Sequence, residues 1–151
     1  MSALSIRDLS VRYGTGRQAH LAVDGVSLDV PAGRTLGLVG ESGSGKSSVA
    51  AAIVGLASPV AGSIELDGVD ITRRDAASRE ARRRIQLVFQ DPFSALDPRM
   101  SVGASIAEAL RATGRRWSRA DATRRVAELL RRVHIDPSRA TELPSAFSGG
   151  Q

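Results

Sequence analysis

Between Gly40 and Ser47 the chain reads Gly40-Glu41-Ser42-Gly43-Ser44-Gly45-Lys46-Ser47, and here residue type and spacing together can do chemistry. The run fits GxxxxGKS, a loop that cradles phosphate. Glycines at 40, 43 and 45 let the backbone wrap a polyphosphate and turn successive amide N–H groups inward as an anion nest. A helix opening near Lys46 adds unpaired amides and the positive end of its dipole. In such a loop the lysine reaches the β- and γ-phosphates, and the Ser47 hydroxyl ligates Mg²⁺. Ser48, next along the helix, is counted with the site. Lys46 is the only lysine in a chain whose other basic residues are arginine. That singularity points to a local demand for a slim, point-like ammonium rather than a planar fork. The competing reading, a glycine-rich turn with a chance lysine, is met well under about one time in a hundred at average residue usage.

This chemistry needs a strand before the loop and a helix after it. Arg34 to Val39 (RTLGLV) is short and more continuously apolar than the strands upstream of it, the pattern of a strand buried on both faces of a parallel sheet. From Lys46 to Leu56 the apolar residues Val49, Ile53 and Leu56 recur on one helical side, with Ser58-Pro59 as the stop. Upstream, Leu4 to Tyr13 and Ala22 to Val30 alternate Val, Leu and Ile about a turn at Gly14 to Gly16 and predict an antiparallel pair. Gly62 to Leu66 and Val69 to Ile71 predict a hairpin about Asp67-Gly68, and Ile85 to Phe89 (IQLVF) a second buried strand. After Pro92 the pattern becomes helical. Val102, Ile106, Ala109 and Leu110 mark one amphipathic helix after Ser101, and Ala122, Val126, Leu129, Leu130 and Val133 mark another. The second starts at a capping-box pattern, Ser118 with Asp121. No internal repeat or low-complexity tract is present.

Composition narrows the class. The 151 residues, 42% of them apolar, can form a folded core, so wholesale disorder is not expected. With no cysteine there is no disulfide framework, and Arg7 and Asp8 interrupt any secretory leader. The longest small-apolar run, Val49 to Ala57, is about half of a bilayer span. The net charge of +5 comes from 21 basic and 16 acidic residues. The arginine clusters (Arg82 to Arg84, Arg115-Arg116, Arg124-Arg125, Arg131-Arg132) read as solvated helix faces rather than a nucleic-acid surface. Only three Phe, one Tyr and one Trp are available for base stacking, and of these Trp117 alone stands among the clustered arginines, too few for a stacking surface.

The phosphate loop, with Tyr13 upstream, Gln90 ending an apolar run and Ser148-Gly149-Gly150-Gln151 last, resembles the ATP-binding-cassette (ABC) ATPases over the whole chain. Phe147 stands where that signature usually has leucine. The resemblance implies an α/β fold: a P-loop NTPase core of ABC type, a mixed sheet with an N-terminal antiparallel β part, plus a small helical subdomain. It divides the chain into an ATP-binding core at 1–90, a Q-loop and helical subdomain at 91–147, and the start of a signature helix at 148–151. By the same resemblance Tyr13 stacks on adenine, the alternative being a tyrosine packed on the sheet end. Gln90 helps to position Mg²⁺ and the attacking water. The signature approaches the γ-phosphate of ATP held by another subunit, while Ser148 also caps the helix beginning there.

The run Phe89-Gln90-Asp91-Pro92-Phe93-Ser94-Ala95-Leu96-Asp97-Pro98-Arg99-Met100 is similar to the di- and oligopeptide importer branch, which nickel and glutathione importers share. Ala95 and Asp97 depart from its more usual Ser and Asn. The implied protein is a cytoplasmic subunit, peripheral on the inner face of the membrane, that binds ATP and Mg²⁺ and pairs head to tail with a second ABC ATPase subunit. Membrane-spanning permease subunits and, indirectly, a solute-binding protein are the further partners; nucleic acid is not. A soluble ABC role in translation or DNA repair, or a non-hydrolysing nucleotide-binding fragment, are the alternatives. In the family the segment after the signature carries a Mg²⁺-binding aspartate, a catalytic glutamate and a γ-phosphate-sensing histidine. Residues 1–151 are therefore expected to bind ATP without turnover, and to associate through open buried-type β edges.

Overall fold

The computed structural model describes residues 2–73, 75–91 and 95–151, which form two compact units, 1–87 and 88–151. Pro92, Phe93 and Ser94 of the importer-like run lie outside the described residues.

In the first unit, strands β1 (Ser2–Tyr13), β2 (His20–Pro31), β3 (Pro59–Leu66) and β4 (Val69–Asp70) form an antiparallel sheet in the order β2-β1-β3-β4. The expected β1–β2 pair is present. So is the turn at Asp67-Gly68, where both residues take positive φ, 48° and 79°; that is the backbone twist tight hairpins favour. Strict alternation would bury positions 4, 6, 8 and 10 of β1, yet the buried residues are Ile6, Leu9 and Val11. The cause is one extra residue: Ile6 to Leu9 spans three steps, whereas β2 takes two, from Leu28 to Val26. Asp8, at φ 47°, occupies the bulge. Its amide donates to Ser27 Oγ at 2.9 Å. On the other side β3 must pass close to the bulge, and it does so at Gly62 (φ 84°), where a Cβ would stand 2.4 Å from the carbonyl oxygens of Arg7 and Asp8. No residue with a side chain fits there.

Helix α1 (Lys46–Ile53) buries Val49 and Ala52 into the core of Ile6, Leu9, Val11, Val23, Ile64 and Ile71. It ends earlier than the sequence predicts. Gly55 turns left-handed at φ 81°, its amide donates to Ala52 O at 3.1 Å, and the Leu56 amide donates to Ala51 O at 2.8 Å. This double closure stops the helix before Ser58-Pro59 and leaves Leu56 exposed. Helix α2 (Ala76–Arg82), which the sequence does not announce, is capped by the Asp75 carboxylate accepting from the Ser78 amide at 2.8 Å. Nor is its arginine face wholly solvated. Arg82 Nη2 donates to Ile71 O, and Arg82 Nε is buried.

The predicted strands Arg34–Val39 and Ile85–Phe89 are not strands. Both are irregular, with Val39 and Val88 more than nine-tenths exposed. A strand exists only where a neighbour takes up its N–H and C=O groups. The sheet's order places no described strand beside either segment, so their apolarity carries no ladder.

In the second unit, α3 (Val102–Ala112) and α4 (Arg119–Arg132) enclose a core of Val126, Leu130 and Ile135 with Val102, Ile106, Ala107, Leu110, Ala140 and Phe147. Ser101 and Ser118 cap them through their hydroxyls. The Asp121 carboxylate returns to the Ser118 hydroxyl at 2.6 Å. Two expected core positions face solvent, Ala109 and Val133. Ala107 takes the place of the first. Val133 is turned out because His134 is left-handed (φ 60°), folding Ile135 back so that its amide donates to Leu130 O at 2.9 Å.

Candidate nucleotide site

The phosphate loop leads directly into α1, as its chemistry requires, but the segment before it, 32–39, is irregular and the preceding strand β2 ends at Pro31. Gly45 is the N-cap of α1 at φ 89°, and a Cβ there would lie 2.3 Å from Ala22 O and 3.3 Å from Val23 Cγ2. The loop is thus seated directly on β2 through a residue that must be glycine. At that point β2 slips by one residue: Leu21 pairs with Arg12 and Val23 with Val11, leaving Ala22 as the extra one. Such slips commonly re-aim side chains beside functional sites.

Lys46 folds back over the loop. Its ammonium donates to Gly40 O at 2.9 Å, Glu41 O at 2.5 Å and Ser44 Oγ at 3.1 Å. The Ser44 amide donates to Glu41 O at 3.2 Å, closing the turn through Ser42 and Gly43. Gly40, Glu41 and Ser44 therefore hold the lysine head. Gly43, Gly45, Lys46, Ser47 and Ser48 line an open cavity of 260 Å³ together with Tyr13, His20 and Ala22. Tyr13, 45% exposed, is among the residues that line this cavity. Tyr13 and the loop, 27 or more positions apart in sequence, are brought together because the β1–β2 hairpin ends beside the start of α1.

The other site residues lie in the second unit. Gln90 is exposed beside Asp91. Ser148 to Gln151 form a turn in which the Gln151 amide donates to Ser148 O at 2.9 Å, and the Ser148 amide and hydroxyl donate to Gln151 Oε1 at 3.0 and 3.2 Å. Gly149 and Gly150 are exposed. The turn is positioned by Arg139, which the sequence reading missed. Its guanidinium lies 4.1 Å over the Phe147 ring, makes two bonds to Glu142 Oε2 at 3.0 and 2.9 Å, and donates to Ala146 O at 2.9 Å. Hydrogen bonding to Glu142 raises the Arg139 pKa further above its ordinary value. A lone arginine before a Pro-Ser-Ala-Phe segment carries no motif, so only the fold reveals it. His20 and Ala22 were missed for a similar reason: their role depends on strand register.

Chemically, the arrangement offers converging helix-terminal amides, one ammonium, two serine hydroxyls in the first helical turn and an aromatic face. It suits a nucleoside polyphosphate. A hydroxyl oxygen facing bound phosphate also suits a hard cation such as Mg²⁺.

Comparison with known proteins agrees. The family described as "ABC transporter" matches residues 23–151. The chain is 49% identical over 146 residues to a Brucella abortus protein provisionally named a peptide import ATP-binding protein, covering 95% of this chain and 43% of that one. It is 50% identical over 131 residues to the oligopeptide transport ATP-binding protein OppD of Mycobacterium tuberculosis, covering 86% of this chain and 21% of that one. In three dimensions it resembles a dimeric ATP-binding cassette in a post-hydrolysis state bound to ADP and Pi. The TM-score is 0.82 and the identity 25%, over 98% of this chain and 64% of that one. The chain therefore spans less than half the length of these curated relatives.

Proposed function

The chain belongs to the ABC transporter family, and from that premise we propose that it is the nucleotide-binding part of a subunit that uses ATP to drive import of peptides or a similar small solute. The observation that carries this reading is the cavity shared by the Tyr13 ring and the Lys46 loop. The relatives' names, peptide import and oligopeptide transport, support the class of solute.

Each residue then has a task. The amides of Gly43 to Ser48 and the Lys46 ammonium hold the phosphates. The Ser47 hydroxyl would be a ligand of Mg²⁺, which would neutralise phosphate charge when bound. Tyr13 offers its face to the adenine. Ser148 to Gln151 present a hydroxyl and glycine amides to the γ-phosphate held by a second subunit, so that ATP joins two subunits head to tail. Closure around the nucleotide selects one of two arrangements and passes that change on. The glutamine-bearing loop, together with the helices after it, docks on permease subunits, placing the protein at the cytoplasmic face of the membrane. None of the described helices is itself long and apolar enough to cross a membrane.

A polypeptide of residues 1–151 alone binds MgATP without turning it over. In the helical part, Asp97 and Glu108 are poor substitutes for a catalytic base: Asp97 accepts from the Arg99 amide at 2.9 Å and pairs with its guanidinium, and Glu108 lies on the exposed side of α3. Mg²⁺-dependent turnover by that polypeptide at rates normal for the family refutes this point. The central reading is tested by calorimetric titration of the intact protein with MgATP. Lys46→Ala abolishes binding, and unchanged affinity in that variant overturns the assignment. Co-purification with permease subunits is the expected partner result. Salt-sensitive association with ribosomes or DNA would favour the soluble ABC alternative instead.

A further inference from the structure

His20 opens β2 and is the direct cross-strand partner of Tyr13. Directly opposed residues of an antiparallel pair have Cβ atoms about 4.5–5.5 Å apart and send their side chains to the same face. Both side chains line the cavity that contains Gly43, Gly45, Lys46, Ser47 and Ser48. The position along the site is set by Ala22. Its carbonyl lies beneath Gly45, where the loop meets the strand. His20, two residues earlier, is roughly 6–7 Å further toward the hairpin tip. A nucleotide whose phosphates are gripped at Gly43 to Ser48 and whose base meets Tyr13 must pass its adenosine half over this point. An imidazole offers one hydrogen-bond donor and one acceptor there.

We infer that His20 is a further nucleotide-binding residue, hydrogen-bonding the adenosine half of the ligand and leaving the phosphates to Lys46 and the loop. This rests on the nucleotide-site reading above. It makes the β1–β2 hairpin end a two-residue platform in which Tyr13 supplies a face and His20 supplies polar contacts.

The test compares two ligands on the intact protein, MgATP and magnesium tripolyphosphate, by calorimetric titration. His20→Ala is expected to raise the Kd for MgATP by roughly 3- to 10-fold, the range of one neutral hydrogen bond. The Kd for tripolyphosphate should be unchanged. Equal weakening of both ligands, or no weakening of either, overturns the inference. A second measurement needs no variant. In the unaltered protein, saturating MgATP should protect His20 from diethyl pyrocarbonate, read by peptide mass spectrometry, whereas tripolyphosphate should not. The exposed His134 of the second unit serves as an internal reference for reagent activity. Equal protection by both ligands, or by neither, counts against the inference. If the unaltered protein binds no MgATP, the nucleotide-site reading itself falls; if it binds and His20 is indifferent, only this inference does.

Discussion

Gly45 seats the phosphate loop on β2, and replacing it tests how much of the site depends on that seat. In Gly45→Ala the new Cβ stands 2.3 Å from the Ala22 carbonyl oxygen and 3.3 Å from Val23 Cγ2, at φ 89°. Two costs follow. The left-handed backbone costs a non-glycine residue about 1–2 kcal/mol, and driving a methyl into fixed backbone costs about 1–3 kcal/mol. Gly43→Ala is the matched control. Its φ is 83°, but a Cβ there meets nothing within 4 Å, so it carries the first cost alone. The overlap is thus the difference between the variants, about 1–3 kcal/mol. At 1.4 kcal/mol per tenfold, that is roughly a 5- to 150-fold larger loss in Gly45→Ala. The loss can fall on the native fold or on the grip on phosphate. Both are therefore read, the first from the urea midpoint of the intact protein and the second from the Kd for MgATP. If Gly45→Ala loses no more of either than Gly43→Ala, the close approach to Ala22 is not what shapes the loop.

Ser118→Ala removes the hydroxyl that accepts from the Asp121 amide, and the urea-unfolding free energy should fall by about 1 kcal/mol; no change argues against the cap. Acid should destabilise the protein late rather than early. Hydrogen bonds from the Thr72 hydroxyl to Asp70, the Ser78 amide to Asp75, the Ser118 hydroxyl to Asp121 and the Ser138 amide to Asp136 hold these carboxylates below their ordinary values. Groups depressed in the folded state stabilise it above their unfolded pKa, about 3.9, and the contribution is lost as pH falls through the folded values. The thermal midpoint should therefore hold from pH 7 to 5 and drop below about pH 4, and a steady decline between pH 7 and 5 contradicts this. A polypeptide of residues 1–151 should self-associate through Leu36, Leu38, Val39, Val88 and Phe89, all well exposed. Light scattering should show this, and Val39→Lys with Val88→Glu should lessen it; a monomer with a sharp, reversible thermal transition sinks the expectation.

Local chemistry was readable in advance. The loop-to-helix junction, the Asp67-Gly68 hairpin and the Ser101 and Ser118 caps each depend on residues within a few positions of one another. Pairings set by distant chain segments were not. That β1 also pairs with β3 follows from neither strand alone, and the bulge at Asp8 becomes visible only when Gly62 is found packed against it. Helix α2 carries an arginine-rich sequence without an apolar stripe, so periodicity missed it, although Asp75 three residues before Ser78 was a cap signal. The opposite error arose at Arg34–Val39 and Ile85–Phe89, whose apolar runs encode what such segments do between two neighbours. In the candidate site, the motif marks the loop and its lysine, whereas the places of His20 and Arg139 depend on register and on a tertiary contact.

The extra residue at Asp8 reaches further than the core it rephases. On the far side of the bulge, Leu9, Val11 and Tyr13 share one face by simple alternation, the face on which α1 and its loop lie. Were Asp8 to take an ordinary strand position instead of bulging, the same sequence would send Leu9, Val11 and Tyr13 to the opposite face of the sheet. The side of the sheet on which Tyr13 stands is therefore tied to a bulge five positions away, and a single residue inserted between Leu9 and Tyr13 should move the ring off that face as surely as its removal would.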